Sequence, residues 1–516
     1  MKKHHLRKNI LALLAAVAVG TGLSISIAAA ADLIVARAVD ADSLDPDKTS
    51  TTQSLQMTNL IFDTMLTMDK NGSLHPGLAS EWSVAEDGKT YTFTIRDGVK
   101  CHDGSVFDAS GAKARIDRAI DPATVNPDRS LWGPITGTSV EGKVLKVSLS
   151  EPYSPFLSFL TGIQAGFVCP SAFAGADFKP IGTGPFKFVS WTRNDNLQLE
   201  ANAEYQNFNP LIENPGKPHI DKLTFKVIPE AVARMAALRS GEADVVEPSL
   251  EETTDLKSDS NFKIYAAELS GQQVLAAFSW KIKPLDNPEI RKAIGMAMNR
   301  DAYANIAFEG LVNTSNCPVA PKLFATDDEL CATWGAEYDP DGAKLIMENA
   351  GFTAENPLKI KIIAHKLSGW DQMHQIMQQD LAAINVQAEI ETREVASHFD
   401  HMTNENERTD GAPFVWTMGM SGVDPDYLNL LWKRPGFVNM GLNEQVDAML
   451  DEQRRLSGDA RAAKIHEIEK YLIQNTYTVP LLSPGWNWLM ASSAKVEGFK
   501  LGFMVSLLFN DVTLKQ

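Results

Sequence analysis

Alternation of apolar and polar residues predicts a sheet-rich region in the first third of the chain. Tyr91, Phe93 and Ile95 alternate with polar residues in TYTFTIR, and WSV and EDGK precede that run. An Asp-Gly pair between two such runs is typical of a β-hairpin with one buried face. VEGKV followed by LKVSL repeats the pattern, with Gly142 at the turn. We therefore predict antiparallel sheet here.

Beyond residue 220 the apolar period lengthens, and helices alternate with strands. Residues 222–228 predict a strand, 229–240 a helix closed by Gly241, and 243–246 another strand. Pro at the start of a helix and Gly just after its end are common boundaries. Further amphipathic helices are predicted within 339–351, 372–384, 446–450 and 465–472. A strand, helix, strand order favours a partly parallel sheet covered by helices, so the expected class is α/β with mixed sheets.

The first 31 residues predict a signal peptide. Positive charges at Lys2, Lys3, Arg7 and Lys8 precede an apolar run that ends in AAAA at residues 28–31. An uncleaved membrane anchor is the alternative, and small residues in the second half of the run disfavour it. No cysteine stands directly after the cleavage site, where a lipid would be attached, so we expect a periplasmic protein without a lipid anchor.

Net charge narrows the class of partner. The chain has a formal net charge of −17, and removal of the four leader cations takes it to −21. Such an acidic surface disfavours binding to nucleic acid and to anionic lipid. With 516 residues, of which 44% are hydrophobic, the chain is expected to form more than one core.

Four cysteines, at 101, 169, 317 and 331, allow three full pairings in an oxidising compartment. Cys317 and Cys331 flank a loop of 13 residues, and a disulfide there is expected to stabilise the fold by roughly 3 kcal/mol. Cys101 and Cys169 could pair or could remain buried thiols. With neither CxxC nor a Cys/His cluster in the sequence, we expect no structural zinc site.

The segment PIGTGPFKFVSW, residues 180–191, places two glycines around Thr183 and a lysine at 187, which suggests a phosphate-binding loop. Such a loop needs a helix directly after the glycines, because the helix amides hold the anion. Pro185 disfavours helical angles at Gly184, and residues 186–191 predict a strand. We therefore predict a structural turn and no nucleotide site.

Signatures of catalysis are weak. No GxSxG occurs, since GMSGV at 419–423 lacks the final glycine, and no HExxH occurs. His398 and His401 could form a metal pair or lie on a solvated helix surface. We expect no enzymatic activity, no cofactor and no metal.

Five tryptophans of the second half are candidate ligand contacts, several of them beside Gly, Pro or Ser: Trp280, Trp416, Trp432, Trp486 and Trp488. Aromatic rings in loops stack on sugars or line pockets for peptide side chains. The alternative for each ring is a place in the hydrophobic core.

Short segments in a fixed order resemble the extracytoplasmic solute-binding proteins of peptide-type ABC importers (family 5), which include dipeptide, oligopeptide and nickel binders. They span nearly the whole mature chain: SLDP (43–46), NLIFD (59–63), LASEW (78–82), HDG (102–104), GTGPF (182–186), GEAD (241–244), PEIRKAI (288–294), YDP (338–340) and DP (424–425). Each segment alone is weakly specific, whereas the ordered set is highly specific.

The resemblance implies a two-lobed α/β periplasmic binding protein fold whose lobes close on a ligand. Lobe I would be residues 32–280 and 487–516, with an inserted subdomain at about 73–182, and lobe II would be residues 281–486. Crossings near Ser279-Trp280 and at Ser483-Pro-Gly485 would form the hinge. Ligand would stabilise a closed form that the ABC permease subunits recognise.

The resemblance also implies the ligand contacts: Thr51, Thr52, Trp280, Trp416, Met418, Gly419, Ser421, Trp486, Asn487 and Trp488. Peptide binders of this family usually carry Trp-x-x-Asp before the Asp-Pro, and that aspartate holds the peptide's amino group. This chain has Ser421 at the place of the aspartate. Because a buried ammonium needs a counter-charge, the ligand class stays open among peptides, opines and sugar conjugates.

The expected function is the capture of one small solute per monomer and its delivery to the membrane permease. A secreted hydrolase of peptides or glycans, with a carboxylate site that the spacing does not reveal, is the alternative.

Overall fold

The computed structural model describes residues 32–266, 271–365, 369–393, 412–434, 442–483 and 489–515. Its helices are α1 (Thr52–Ile61), α2 (Ala109–Ile120), α3 (Pro155–Phe159), α4 (Ala231–Ser240), α5 (Leu250–Ser258), α6 (Pro288–Ala297), α7 (Arg300–Ala302), α8 (Asp328–Ala332), α9 (Pro340–Asn349), α10 (Trp370–Ala383), α11 (Leu428–Trp432), α12 (Glu444–Arg455) and α13 (Gly458–Gln474). Within these described ranges, no helix is long and apolar enough to cross a membrane.

The strands are β1 (Asp32–Arg37), β2 (Leu66–Met68), β3 (Leu74–Pro76), β4 (Ala79–Val84), β5 (Thr90–Ile95), β6 (Ile135–Glu141), β7 (Val144–Leu149), β8 (Phe186–Thr192), β9 (Asn196–Ala201), β10 (Lys222–Val227), β11 (Val245–Val246), β12 (Phe262–Tyr265), β13 (Gln272–Phe278), β14 (Asn313–Thr314), β15 (Leu358–His365), β16 (Val386–Arg393), β17 (Phe414–Ser421), β18 (Thr478–Ser483), β19 (Met490–Ser493), β20 (Val496–Glu497), β21 (Lys500–Leu501), β22 (Leu507–Leu508) and β23 (Thr513–Leu514).

A seven-stranded mixed sheet carries the first core, in the order β12-β19-β11-β1-β10-β9-β8. Its central strand β1 runs parallel to β10 and β11, and its other pairs are antiparallel. The predicted unit of strand, helix and strand is confirmed as β10, α4 and β11. Gly241 ends α4 with φ +79°, a conformation that glycine adopts without steric cost.

A four-stranded antiparallel sheet, β4-β5-β7-β6, lies within residues 73–182. The two predicted hairpins, β4-β5 and β6-β7, are both confirmed. Apolar side chains of β5 and β7, Phe93 and Leu145 among them, pack with helix α2 in one core. Cys101 and Cys169, whose pairing the sequence left open, form a disulfide here.

A six-stranded mixed sheet carries the third core, in the order β14-β18-β13-β17-β15-β16. Strand β15 is parallel to β16 and β17, and the other pairs are antiparallel. Helices α6, α9 and α10 cover one face, and α12 and α13 cover the other. The predicted disulfide between Cys317 and Cys331 is confirmed.

The chain enters the six-stranded sheet at Gln272 and returns to the seven-stranded sheet at Met490. The sequence placed the first crossing near Ser279-Trp280, after β13. In the structure β13 lies inside the six-stranded sheet, paired with β17 on one side and β18 on the other. The crossing therefore precedes β13, and the cause is strand pairing at long range, which local pattern does not encode.

The turn GTG, residues 182–184, packs against the end of α1. Gly184 N donates to Ile61 O at 2.9 Å, and Thr183 Oγ1 donates to Asp63 Oδ2 at 2.7 Å. His102 Nε2 donates to Gly184 O at 3.0 Å; burial lowers the pKa of this ring to about 4, so it is neutral at pH 7. The predicted strand after the turn is confirmed as β8, and the turn is a structural junction.

Candidate functional site

One apolar cluster joins the six-stranded sheet to the region of the seven-stranded sheet. Trp416 and Met418 of β17 are buried in it together with Leu55 of α1 and with Phe503 and Met504 near the end of the chain. We call these five residues the cleft cluster. Side chains from both sheet regions meet here, so the space between α1 and β17 is the candidate site.

Strand geometry divides the residues predicted on β17. Trp416 and Met418 point into the cleft cluster, whereas Val415 packs in the core on the opposite face. Thr417 also lies on that opposite face, where its hydroxyl contacts His374 Nε2 at 2.6 Å. Because side chains alternate along a strand, residues 419 and 421 share the face of Thr417. The side chains of residues 416 and 418 therefore share one face of β17, and residues 419 and 421 lie on the opposite face.

The predicted residues of β17 also differ in exposure to solvent. Trp416 is 2% exposed and Met418 is 2% exposed, whereas Gly419 is exposed and Ser421 is half-buried. Ser421 pairs with Gln272 at the end of the strand ladder. The open end of β17 therefore offers backbone and small side chains, and its interior offers apolar surface.

Thr51 and Thr52 lie at the start of α1, on the other side of the candidate site. The Thr51 hydroxyl donates to Asp42 Oδ1 at 2.8 Å, as the Thr49 hydroxyl does at 2.6 Å, and Ser54 donates to the same oxygen. Partial burial raises the pKa of Asp42, but these hydroxyl bonds outweigh it and leave the pKa below its usual value. Asp42 therefore fixes the segment that leads into α1.

A polar group behind the cleft cluster was missed by the sequence reasoning. Arg37, 3% exposed, donates to Glu247 Oε1 at 2.9 Å and to Gln56 Oε1 at 2.5 Å. Gln56 Nε2 in turn donates to Val505 O at 2.7 Å. These contacts tie the C-terminal end of β1 to α1 and to the segment that carries Met504. No spacing in the sequence indicates the longer contacts, because Glu247 lies 210 residues from Arg37 and Val505 lies 449 residues from Gln56.

The backbone is strained at the cleft cluster. Met504 has φ +52° and Val505 has φ +55°, and a β-branched residue in the left-handed region is an outlier. Such strain costs about 1–3 kcal/mol per residue and persists only where the surroundings enforce it. The hydrogen bond from Gln56 to Val505 O is one such enforcement.

Trp280 lies at the opposite end of β13 from Gln272. Its ring contacts Tyr477 edge to face, with 5.7 Å between centroids, and Ser279 N donates to Phe414 O at 3.0 Å. The seven residues of β13 separate the two ends by about 20 Å. Trp280 is therefore not brought to Ser421, and Trp432 is buried in the core of the same sheet.

Other predicted residues lie outside the described part of the chain: Trp486, Asn487, Trp488, His398 and His401. Among the described residues, Cys317, Cys331 and Glu469 approach one another closely enough for a metal. The two cysteines form a disulfide, so neither offers a thiolate ligand.

A separate cavity of about 1030 Å³ lies between the four-stranded sheet region and the β8-β9 hairpin. Lys48, His102, Lys187, Trp191 and Arg193 are among its lining residues. Among the residues that the structure describes, no predicted ligand residue lines this cavity. The cavity and the predicted ligand contacts therefore point to different parts of the molecule as the binding site.

The chain is similar to known solute-binding proteins along nearly its full length. It is 27% identical to the glutathione-binding protein GsiB of Escherichia coli (strain K12), over 97% of this chain and 98% of the relative. The periplasmic binding protein DppA of Helicobacter pylori, in complex with the peptide STSA, is 24% identical with a TM-score of 0.73, covering 94% of this chain and 98% of that structure. NikA of Brucella suis, in complex with Fe(III)-EDTA, is 22% identical with a TM-score of 0.81, covering 94% and 100%.

These structures share the two-lobed periplasmic binding protein fold, and the described chain has the same mixed α/β architecture. The family described as bacterial extracellular solute-binding proteins, family 5 Middle, matches residues 73–436. The chain therefore belongs to the family 5 bacterial extracellular solute-binding proteins.

Proposed function

We propose that this protein is the periplasmic solute-binding component of an ABC importer, which captures one peptide-like solute between its lobes and delivers it to the permease. The observation that carries the proposal is the cleft cluster. Trp416 and Met418 belong to the same apolar cluster as Leu55, Phe503 and Met504, so both lobes contribute apolar side chains to it. A solute enclosed at that place would be removed from water on both sides, which favours the closed form.

We infer that lobe I comprises residues 32–266 and 489–515 and that lobe II comprises 271–483. Strand pairing supports this division, because β13 and β18 belong to the six-stranded sheet and β12 and β19 to the seven-stranded sheet. Residues 73–182 form the inserted subdomain. Residues 1–31 are proposed as the signal peptide that exports a monomer to the periplasm.

The solute class follows from the charges beside the cleft. Asp424 is paired with Arg461 at 3.0 Å, Asp426 with Arg454 at 2.7 Å, and Glu247 with Arg37. Each of these carboxylates is already neutralised by an arginine, and position 421 is serine. None of the three is then available to a buried ammonium, which would need its own counter-charge. The Asp42 carboxylate is occupied by the hydroxyls of Thr49, Thr51 and Ser54. We therefore propose a peptide-like solute, of the peptide, opine or sugar-conjugate class, whose free amino group is not the anchor.

The deciding experiment has two stages. Mass spectrometry of molecules released on denaturing the purified protein identifies retained solute, and calorimetry then compares Ala-Ala, N-acetyl-Ala-Ala and glutathione. We expect N-acetylation to change Kd by less than about threefold, because no carboxylate anchor is lost. A loss above about 100-fold on acetylation would contradict the proposed class.

A matched pair of variants locates the site. Trp416→Phe is expected to weaken binding roughly tenfold, because it removes part of an aromatic surface in the cleft cluster. Trp82→Phe, on β4 of the four-stranded sheet, is the control and should leave Kd unchanged. Equal effects of the two substitutions would place the solute elsewhere.

Sustained product release from the same solutes would favour the hydrolase, whereas saturation at one solute per chain without product supports a binding protein.

A further inference from the structure

The segment that follows β7 contacts the region that follows β17 through polar groups. Ser154 N donates to Arg454 O at 2.8 Å, and Ser154 Oγ donates to Leu456 O. Tyr153 Oη lies 3.5 Å from Asp426 Oδ2, and the Arg454 guanidinium lies 5.5 Å from the centre of the Tyr153 ring. We call this contact between the inserted subdomain and lobe II the seam.

Two further contacts extend the seam. Ser158 lies beside the Asp424 carboxylate, whose pKa it helps to lower, and both residues are buried. Arg455 Nη2 lies 3.1 Å from Glu151 Oε2 at the exposed edge, where both side chains are about half in water. The seam therefore runs from a buried interior to a solvated rim.

The subdomain side of the seam is rigidly held. Tyr91 Oη, on β5, donates to Tyr153 O at 2.8 Å. The Tyr153 ring lies directly over Gly133, where a Cβ would be 2.4 Å from Tyr153 Cδ1. Gly133 also has φ +73°, so glycine is required there for both reasons. The position of Tyr153 is thus fixed by its own subdomain.

The lobe II side of the seam is electrostatically complete without the subdomain. Asp426 accepts two hydrogen bonds from Arg454, at 2.7 and 2.8 Å, and one from Gln453 at 2.6 Å. Asp424 is paired with Arg461, and although burial raises the pKa of Asp424, the arginine outweighs it and lowers the pKa. Each buried carboxylate therefore keeps its cation whether or not the subdomain is present.

This arrangement allows the seam to open into water. Separating the two sides breaks the two hydrogen bonds of Ser154, each worth about 1 kcal/mol net, and the contacts of Tyr153 and Ser158 with carboxylates, and water replaces them. No buried charge loses its partner, so the large penalty of an unpaired buried ion does not arise. A contact of this kind is suited to forming and breaking as the lobes move.

We propose that Tyr153, Ser154 and Ser158 form a docking surface that holds lobe II against the inserted subdomain in the closed form, and that they are positioning residues for solute capture. They raise solute affinity by stabilising the closed form and do not contact the solute. The proposal rests on the proposed capture of solute between the lobes, and it gives the inserted subdomain a part in closure.

The test is the double variant Ser154→Ala/Ser158→Ala, which removes two seam hydroxyls with little change in volume. The control is Ser150→Ala/Ser240→Ala, whose hydroxyls bond to Pro134 O and Ala237 O within their own regions. With glutathione and Ala-Ala as probes, we expect Kd to rise roughly tenfold, almost entirely through a faster koff. The control should stay within about twofold of the wild type. Unchanged Kd and koff, or a loss confined to kon, would overturn the proposal.

Hydrogen exchange of the solute-free protein separates this proposal from the proposed function. We expect the seam variant to exchange faster on both sides of the seam, at residues 150–158 and 453–457, while β7 exchanges as in the wild type. Exchange equal to the wild type on both sides, or faster exchange that includes β7, would overturn the proposal. If neither probe binds the wild type, these two peptides are excluded as solutes, and this measurement still decides the seam.

Discussion

The inserted subdomain is attached on two sides, and the two attachments differ in where their charges come from. Towards lobe I, Asp47 is paired with Arg115 at 2.9 Å and also with Arg118, and Arg118 is paired with Asp45. We call this group the inner junction. Its anions belong to the segment after β1 and its cations to α2. At the seam, by contrast, each buried carboxylate has its arginine within lobe II, as Asp426 has Arg454.

This difference determines which attachment can separate. At the inner junction Asp47 and Arg115 are both 0% exposed, so parting them would leave uncompensated charges in a place without water. At the seam, parting leaves each buried ion pair intact and breaks only the exposed pair of Arg455 with Glu151. The comparison teaches that the distribution of partners across an interface, rather than the number of polar contacts, separates a permanent attachment from a reversible one.

The largest expected effect is at the inner junction. Asp47→Ala leaves Arg115 and Arg118 without one of their anions, and removing one partner of a buried pair costs about 3–5 kcal/mol. Chemical denaturation measures this loss of unfolding free energy. Asp97→Ala is the control, because the pair of Asp97 with Lys143 is largely exposed and should contribute below about 1 kcal/mol. Similar losses of unfolding free energy in the two variants would contradict the view that the inner junction is a permanent attachment.

Glu469 sharpens the comparison, because it is a buried carboxylate with no paired cation among the described residues. Glu469 is 0% exposed, and Val319 N is its one hydrogen-bond donor among the described residues. Burial raises its pKa to about 8. Between the unfolded pKa near 4.5 and the folded value near 8, the unfolded chain has released a proton that the folded protein retains. Stability contributed by this group is therefore complete below pH 4.5 and is lost as pH rises to 8.

Glu469→Gln removes the free-energy cost of ionising a buried carboxyl group. We expect the variant to be more stable than the wild type by on the order of 2–4 kcal/mol at pH 8, with the difference disappearing near pH 4.5. Denaturation at both pH values measures it, and Glu467→Gln, at an exposed position of the same helix, is the control. A difference that is constant with pH would contradict the assignment.

The smallest expected effect is at the rim of the seam. Glu151 is 51% exposed and Arg455 is 55% exposed, and pairs in such positions contribute at most about 1 kcal/mol. Arg455→Ala should therefore change glutathione affinity by less than about threefold, and added salt should erase the change. A larger effect than that of the buried Ser154 and Ser158 hydroxyls would mean that the rim, and not the interior, carries the docking.

Local pattern was sufficient for most elements of the fold. The hairpins around Gly88 and Gly142, helix α4 with its terminal Gly241, and the disulfide of Cys317 all follow from signals within about 20 residues. The order of family segments supplied the two-lobed architecture. Strand pairing lies beyond such signals, and β13 was accordingly assigned to the wrong side of the crossing.

Two features of the candidate site could not be predicted from local sequence, each for a physical reason. Residues 416–421 are adjacent in sequence, but a strand sends alternate side chains to opposite faces, so the run could not form one surface. Arg37 and Glu247 meet only because β1 and β11 are neighbours in a parallel sheet, across about 200 intervening residues. Pairing at that distance is set by topology and leaves no periodic trace.

The glycines of the GTG turn are required by close packing and not by their backbone angles. Neither has a positive φ; instead, a Cβ at Gly182 would lie 2.2 Å from Ile61 O, and one at Gly184 would lie 2.6 Å from Ile61 C. The turn and α1 are therefore in backbone contact, and no side chain separates them. Sequence identifies such glycines, but the reason for them lies in the packing partner.

That contact has a mechanical consequence. The C-terminal end of α1 is fixed to the GTG turn and, through His102, to the inserted subdomain, while its N-terminal end at Thr51 faces the space opposite β17. A helix of ten residues is stiff, so a tilt of the subdomain at the seam, if closure produces one, is expected to reach Thr51 at the other end of α1. The seam and the candidate site would then be coupled across the length of one helix.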